Sequence, residues 1–115
     1  MSSTLLKIRI NHDGNTALGP GKIELLQMIE QHGSISAAAK QMQMSYRRAW
    51  ELVDVMNRCF DQVVVVSTTG GTHGGGAQVT EFGKSLVEAY QQILQKSAQA
   101  AMDELDLITK HLKKT

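Results

Sequence analysis

Two closely spaced interruptions, Gly33-Ser34 and Met44-Ser45, limit what this chain can fold into more than any other feature. Glycine suits the left-handed residue that ends a helix. Serine suits the position that starts one, because its hydroxyl accepts a free backbone N–H of the first turn. The pattern therefore predicts a helix stopping at Gly33, a short one over about Ile35 to Met42, a tight turn through Gln43 and Met44, and a third helix from Ser45 to about Phe60. The first helix starts near Pro20, a residue favoured at early helical positions. It carries an apolar stripe of Ile23, Leu26 and Ile29, widened by Leu25 and Met28. The middle helix holds Ala37, Ala38 and Ala39, whose small side chains let another helix come close.

At 100° per residue the third helix has two clear faces. Ala49, Leu52, Val53, Met56 and Phe60 gather on one; Arg47, Glu51, Asp54 and Arg58 gather on the other. Tyr46 and Trp50 lie at one boundary, where packing is the ordinary role of a tryptophan, and Arg48 and Val55 at the other.

The flanks read as short strands and one long helix. Leu6, Ile8 and Ile10 alternate with Lys7 and Arg9, which predicts a strand over Leu5 to Ile10. Asn11 to Gly21 reads as loop. Val63 to Val66 is a β-branched strand, Ser67 to Gly76 a glycine-rich tip, and Ala77 to Val79 a short returning strand, together a β-hairpin. Thr80 caps a final helix that meets no proline and, after Gly83, no glycine before Lys114. It could reach about 50 Å at ~1.5 Å per residue. Leu94, Ala98, Ala101, Leu105, Ile108 and Leu112 recur at heptad spacing along it. A domain of 115 residues has too little body to cover that seam, so a second copy of the chain is its expected cover. The expected fold is mainly α with a small β-hairpin wing (α+β). It is a winged helix-turn-helix over residues 1–80, with a long dimerisation helix over residues 81–115 in the same structural unit.

Composition excludes several classes. At 42% hydrophobic and 20% charged residues the chain is ordinary for a globular domain. A lone Cys59 can form no internal disulfide, and a buried inert thiol is its expected role. The N-terminus lacks a signal-peptide core, and no apolar run approaches the ~18 residues of a membrane span. A cytoplasmic protein without a membrane partner is the expectation. A net charge of +1 does not mark a nucleic-acid binder, but Lys40, Arg47, Arg48 and Arg58 outnumber Glu51 and Asp54 locally.

That local excess matters because of groove geometry. The major groove of duplex DNA admits one helix, braced by a second across the backbone. The inserted helix must show polar side chains at its N-terminal end, here Ser45, Tyr46, Arg47 and Arg48. Arginine can fork to guanine or hold a phosphate. A plain three-helix bundle with two surface arginines would share this pattern. The glycine-rich tip can bring backbone N–H groups to phosphates, or can simply connect. Gly83-Lys84-Ser85 resembles the end of a phosphate-binding loop, but Gln78 stands where that motif needs glycine, so nucleotide hydrolysis is rejected. His12, His32, His73 and His111 have no metal-ligand spacing. No catalytic grouping, cofactor or metal is expected.

The order Gly19-Pro20-Gly21, Gly33-Ser34-Ile35-Ser36-Ala37-Ala38-Ala39, and Met44-Ser45-Tyr46-Arg47-Arg48-Ala49-Trp50 resembles the N-terminal domain of the ModE family, molybdate-responsive transcriptional regulators. The resemblance continues through Val53-Asp54, Met56-Asn57, Thr69-Gly70-Gly71, Gly74-Gly75-Gly76-Ala77, Val79-Thr80 and Gly83, over roughly residues 5 to 90. It implies a winged helix-turn-helix related to that of LysR-type regulators, with Ser36, Ser45, Tyr46, Arg47 and Arg48 facing DNA and a wing near Thr72, His73 and Gly74 beside them. In that family a C-terminal part made of small β-barrel modules binds molybdate. Nothing up to Thr115 can build such a barrel, so a single-domain relative without its own sensor is expected. The expected function is sequence-specific binding of a pseudo-palindromic DNA site by a homodimer, linked to molybdenum metabolism. The alternative is an interaction protein that pairs through its long helix with a full-length homologue and modulates it.

Overall fold

A computed structural model describes residues 6–68 and 76–114. Five helices and two small antiparallel hairpins follow in the order β1 (Ile10–His12), β2 (Asn15–Leu18), α1 (Pro20–His32), α2 (Ile35–Gln41), α3 (Tyr46–Cys59), β3 (Val65–Thr68), β4 (Gly76–Val79), α4 (Glu81–Ala100) and α5 (Met102–Lys110). The architecture is mainly helical α+β, as the sequence predicts.

The three predicted helix boundaries form by the predicted chemistry. Gly33 is left-handed at φ 79° and donates its N–H to the Ile29 carbonyl at 2.7 Å. The Ser34 hydroxyl accepts from the Ala37 N–H at 2.9 Å, and the Ser45 hydroxyl from the Arg48 N–H at 3.0 Å. Between α2 and α3, Gln43 turns the chain with φ 57°, and the Met44 N–H returns to the Ala39 carbonyl at 3.0 Å. Ile23, Leu25, Leu26 and Ile29 of α1, Ala38 and Ala39 of α2, and Ala49, Val53 and Met56 of α3 enter one core. Leu52 and Phe60 pack on it half-buried.

The N-terminal reading needs correction. Leu5 lies outside the described residues, and Leu6–Arg9 form no strand, although Leu6 and Ile8 are half-buried and Lys7 and Arg9 exposed as the alternation predicts. The strand is Ile10–His12, and the expected loop contains its partner Asn15–Leu18. Asp13 and Gly14 both have positive φ, 49° and 80°. A two-residue turn of that hand matches the twist of paired strands, so Asp-Gly closes a hairpin here rather than marking a loop. Its second strand buries Ala17 and Leu18.

The second hairpin starts two residues later than expected. Val63 and Val64 stand just before its ladder. The Asn57 Oδ1 accepts from the Val64 N–H at 2.8 Å, and the Thr80 hydroxyl donates to the Val63 carbonyl at 2.7 Å. Pairing begins at Val65 opposite Val79 and runs to Thr68 opposite Gly76. The hairpin is tied to the α1–α2 turn by the Ala77 N–H, which donates to the Gly33 carbonyl at 2.9 Å.

The final helix is not continuous. It breaks at Ala101 (φ −103°, ψ 20°) into α4 and α5. Nothing in the local sequence explains the break. Thr80 caps α4 as predicted, accepting from the Gly83 N–H at 3.0 Å. Val87 and Tyr90 bury the first half of α4, and the Tyr90 hydroxyl donates to the Ile8 carbonyl. No residue of α5 is buried.

Candidate nucleic-acid interface

The exposed end of α3 collects the residues expected to act. Ser45, Arg47 and Arg48 are exposed, and Tyr46 and Trp50 expose about half their surface. Ser36 is exposed in the first turn of α2. The Ser45 hydroxyl accepts the Arg48 N–H, and its own O–H remains to donate. Thr72, His73 and Gly74 lie outside the described residues.

Two arginines on this face are paired along the helix. Arg47 Nε lies 3.4 Å from Glu51 Oε2, and Arg58 Nε lies 2.9 Å from Asp54 Oδ2. Exposed pairs of this spacing stabilise a helix by only about 0.3–0.5 kcal/mol. They engage Nε, and among the described residues neither guanidinium makes a further ion pair. Arg48 has no ion pair among the described residues.

Trp50 departs from the packing role expected of it. It stands one turn from Tyr46, and together with Arg47 and Glu51 they line an open groove on the outer side of α3. The wheel carried this signal, since positions four apart share a face. Sequence reasoning also missed Lys22 and Arg9. Lys22, in the first turn of α1, has its pKa lowered, first by burial and then by Arg48 and Arg9, against an opposing pull from the Cys59 thiol. Cys59 itself is half-buried rather than buried.

The expected seam is divided. Leu94 and Ala98 lie on α4, Ala101 at the break, Leu105 and Ile108 on α5, and Leu112 beyond its end. The first four of that series are half-buried within the chain, whereas Ile108 and Leu112 are 58% and 59% exposed. Ile93, Met102 and Leu107 add further exposed apolar surface. Among the described residues no group of His, Cys, Asp or Glu is placed to hold a metal ion. No helix among them is long and apolar enough to cross a membrane.

A short helix, a tight turn and a longer helix with an exposed basic and aromatic end define this small α+β protein. Comparison with known proteins narrows the class. No family model matches the chain. It is 40% identical over 101 residues to the molybdenum transport protein ModE of Azotobacter vinelandii, covering 88% of this chain and 37% of that protein. It is 39% identical over 88 residues to the DNA-binding transcriptional dual regulator ModE of Escherichia coli, covering 74% and 34%. The molybdenum-pterin-binding protein MopA of Rhodobacter capsulatus is 36% identical over 83 residues, covering 72% and 31%. The chain thus spans about a third of the length of the curated relatives it matches. Over that third the chain is similar to proteins named as ModE regulators and as a molybdenum-pterin-binding protein.

Proposed function

We propose that this chain is a winged helix-turn-helix module that binds duplex DNA as a homodimer and regulates transcription in connection with molybdenum metabolism. The observation that carries this reading is the N-terminal end of α3, where Ser45 to Arg48 are all exposed and α2 braces the helix from behind. A helix N-terminus carries partial positive charge. With Arg47 and Arg48 it suits the anionic groove, and the Arg47 guanidinium suits the N7 and O6 of guanine. Tyr46 and Ser36 have hydroxyls for phosphates. The β3–β4 hairpin is the wing in this reading. The uncovered apolar surface of α5 supports pairing of two copies, which would set the two α3 helices in major grooves one turn of DNA (~34 Å) or a multiple apart. The module works in the cytoplasm, without catalysis or a cofactor of its own.

Mobility-shift titration tests this. Wild-type protein binds its selected duplex with strong salt dependence. Arg47→Ala weakens that specific binding by about 1–3 kcal/mol and relaxes the preference at one base pair. Unchanged affinity in Arg47→Ala removes this residue from the site. Absence of salt-sensitive binding in the wild type ends the DNA reading.

The same uncovered α5 surface favours a second reading, an interaction protein that pairs with a longer homologue. Under it, light scattering finds a monomer that forms a mixed dimer only when the longer protein is added.

A further inference from the structure

One side of α3 carries aromatic surface that the rest of the chain leaves half uncovered. The apolar face of the helix buries Ala49, Val53 and Met56. Tyr46 and Trp50 stand one turn apart outside that face, 55% and 49% exposed. With Arg47 and Glu51 they line one open groove. Adjacent aromatic side chains left in water have a large apolar area to gain from a contact, and a polar rim around them marks a binding surface. The apolar strip is short. Val53, three residues beyond Trp50, is buried in the core, and Asp54, four residues beyond it, is bonded by Arg58 Nε at 2.9 Å. A partner helix needs anchors at i, i+3 or i+4, and i+7, and would find two positions here. One helical turn rises ~5.4 Å, less than two base-pair steps of ~3.4 Å. The strip therefore has the length of one or two base edges.

We propose that the groove between Tyr46 and Trp50 receives the C5-methyl group of a thymine in the major groove of duplex DNA, which makes Trp50 a specificity-determining residue. This rests on the DNA-binding reading above and adds a second base reader beside Arg47. The major-groove edge of thymine presents an O4 acceptor and a methyl group, and an apolar wall is what matches the methyl. Charge favours a base edge over an apolar peptide. The groove starts at the first residue of α3, where the helix carries partial positive charge. Arg47 forms part of its wall and engages the one carboxylate there, with Nε 3.4 Å from Glu51 Oε2. Phosphate contacts carry no sequence information, whereas a methyl contact does. Trp50 therefore strengthens binding to duplexes with thymine at one position, while Arg47 reads a neighbouring base.

The test uses the full chain and its selected duplex, with each thymine replaced in turn by deoxyuridine, which removes the methyl group alone. At one thymine position wild-type affinity should fall roughly fourfold, the contribution of one buried methyl group. Trp50→Ala should bind the unsubstituted duplex more weakly and should no longer distinguish thymine from deoxyuridine there. Trp50→Phe keeps an aromatic wall and should keep the distinction. Arg47→Ala should keep it too, because it removes a different base contact. Trp50 is the only tryptophan in the chain, so acrylamide quenching of its fluorescence reports on the groove directly. The selected duplex should protect it more than a scrambled duplex of equal length. Circular dichroism checks that the variants remain folded. A wild type that binds the selected duplex with salt dependence, yet is blind to every methyl group, overturns the proposal and leaves the DNA reading standing. A Trp50→Ala as sensitive to deoxyuridine as the wild type overturns the role of Trp50. Protection of Trp50 without DNA that is lost on dilution, beside a Trp50→Ala found monomeric by light scattering, assigns the groove to a second copy and overturns it as well. A wild type without salt-sensitive DNA binding overturns both readings.

Discussion

Asn57 joins the end of α3 to the second hairpin through both ends of its amide. Its Oδ1 accepts from the Val64 and Val65 N–H groups at 2.8 and 3.2 Å, and its Nδ2 donates to the Val65 carbonyl at 3.1 Å. Val64 and Val65 are buried, so removing the amide strands backbone groups away from water. Asn57→Ala is expected to destabilise the protein by roughly 2–4 kcal/mol, read as a lower urea midpoint at unchanged slope. Gly83 shows how one residue type can carry two readings. In sequence it belongs to a failed phosphate-loop pattern. In the fold a β-carbon at this site would stand 2.6 Å from the Val64 carbonyl oxygen and 2.7 Å from Val79 Cγ1. The glycine is there to let α4 touch the hairpin, and Gly83→Ala should cost about 1–3 kcal/mol in the same measurement.

Among the elements, those written in local chemistry were readable. α2 has only seven residues, too few to persist alone, and depends on its cap and on its neighbours. Ser34→Ala and Ser45→Ala should each lower stability by about 1 kcal/mol, seen as a drop in Tm, and Ser45→Ala should also loosen the end of α3 that carries Arg47. The predicted boundaries of α1, α2 and α3 agree with the structure to within a residue or two, because glycine and serine caps act over three or four residues. The β1–β2 hairpin was equally local, and Asp13-Gly14 was misread as punctuation because the alternation before it drew the strand too early. The late start of β3 was not local. It belongs to the register in which Val65 stands opposite Val79, with Asn57 and Thr80, distant in sequence, bonding the backbone beside it. The break at Ala101 had no sequence mark at all.

At the scale of the molecule, α4 and α5 stretch the chain to 54 × 34 × 24 Å, with a radius of gyration of 16.4 Å against the ~13 Å of a compact domain this long. No residue of α5 is fully buried, which is the physical ground for expecting a second copy. Ile108→Lys should convert a dimer to a monomer by light scattering while circular dichroism stays unchanged, because Ile108 is 58% exposed and outside the core. A monomeric wild type would remove that expectation. By itself the sequence determined the helix boundaries, the apolar face of α3 and the exposed end from Ser45 to Arg48. Periodicity and capping act within one or two turns, so a single strand of text contains them. Only the tertiary structure decided the anchoring of the hairpin on Gly33, the tie between Asn57 and the second hairpin, and the exposure of Trp50. Each of those depends on how separate segments pack, and packing distance is a property of the folded chain rather than of spacing along it.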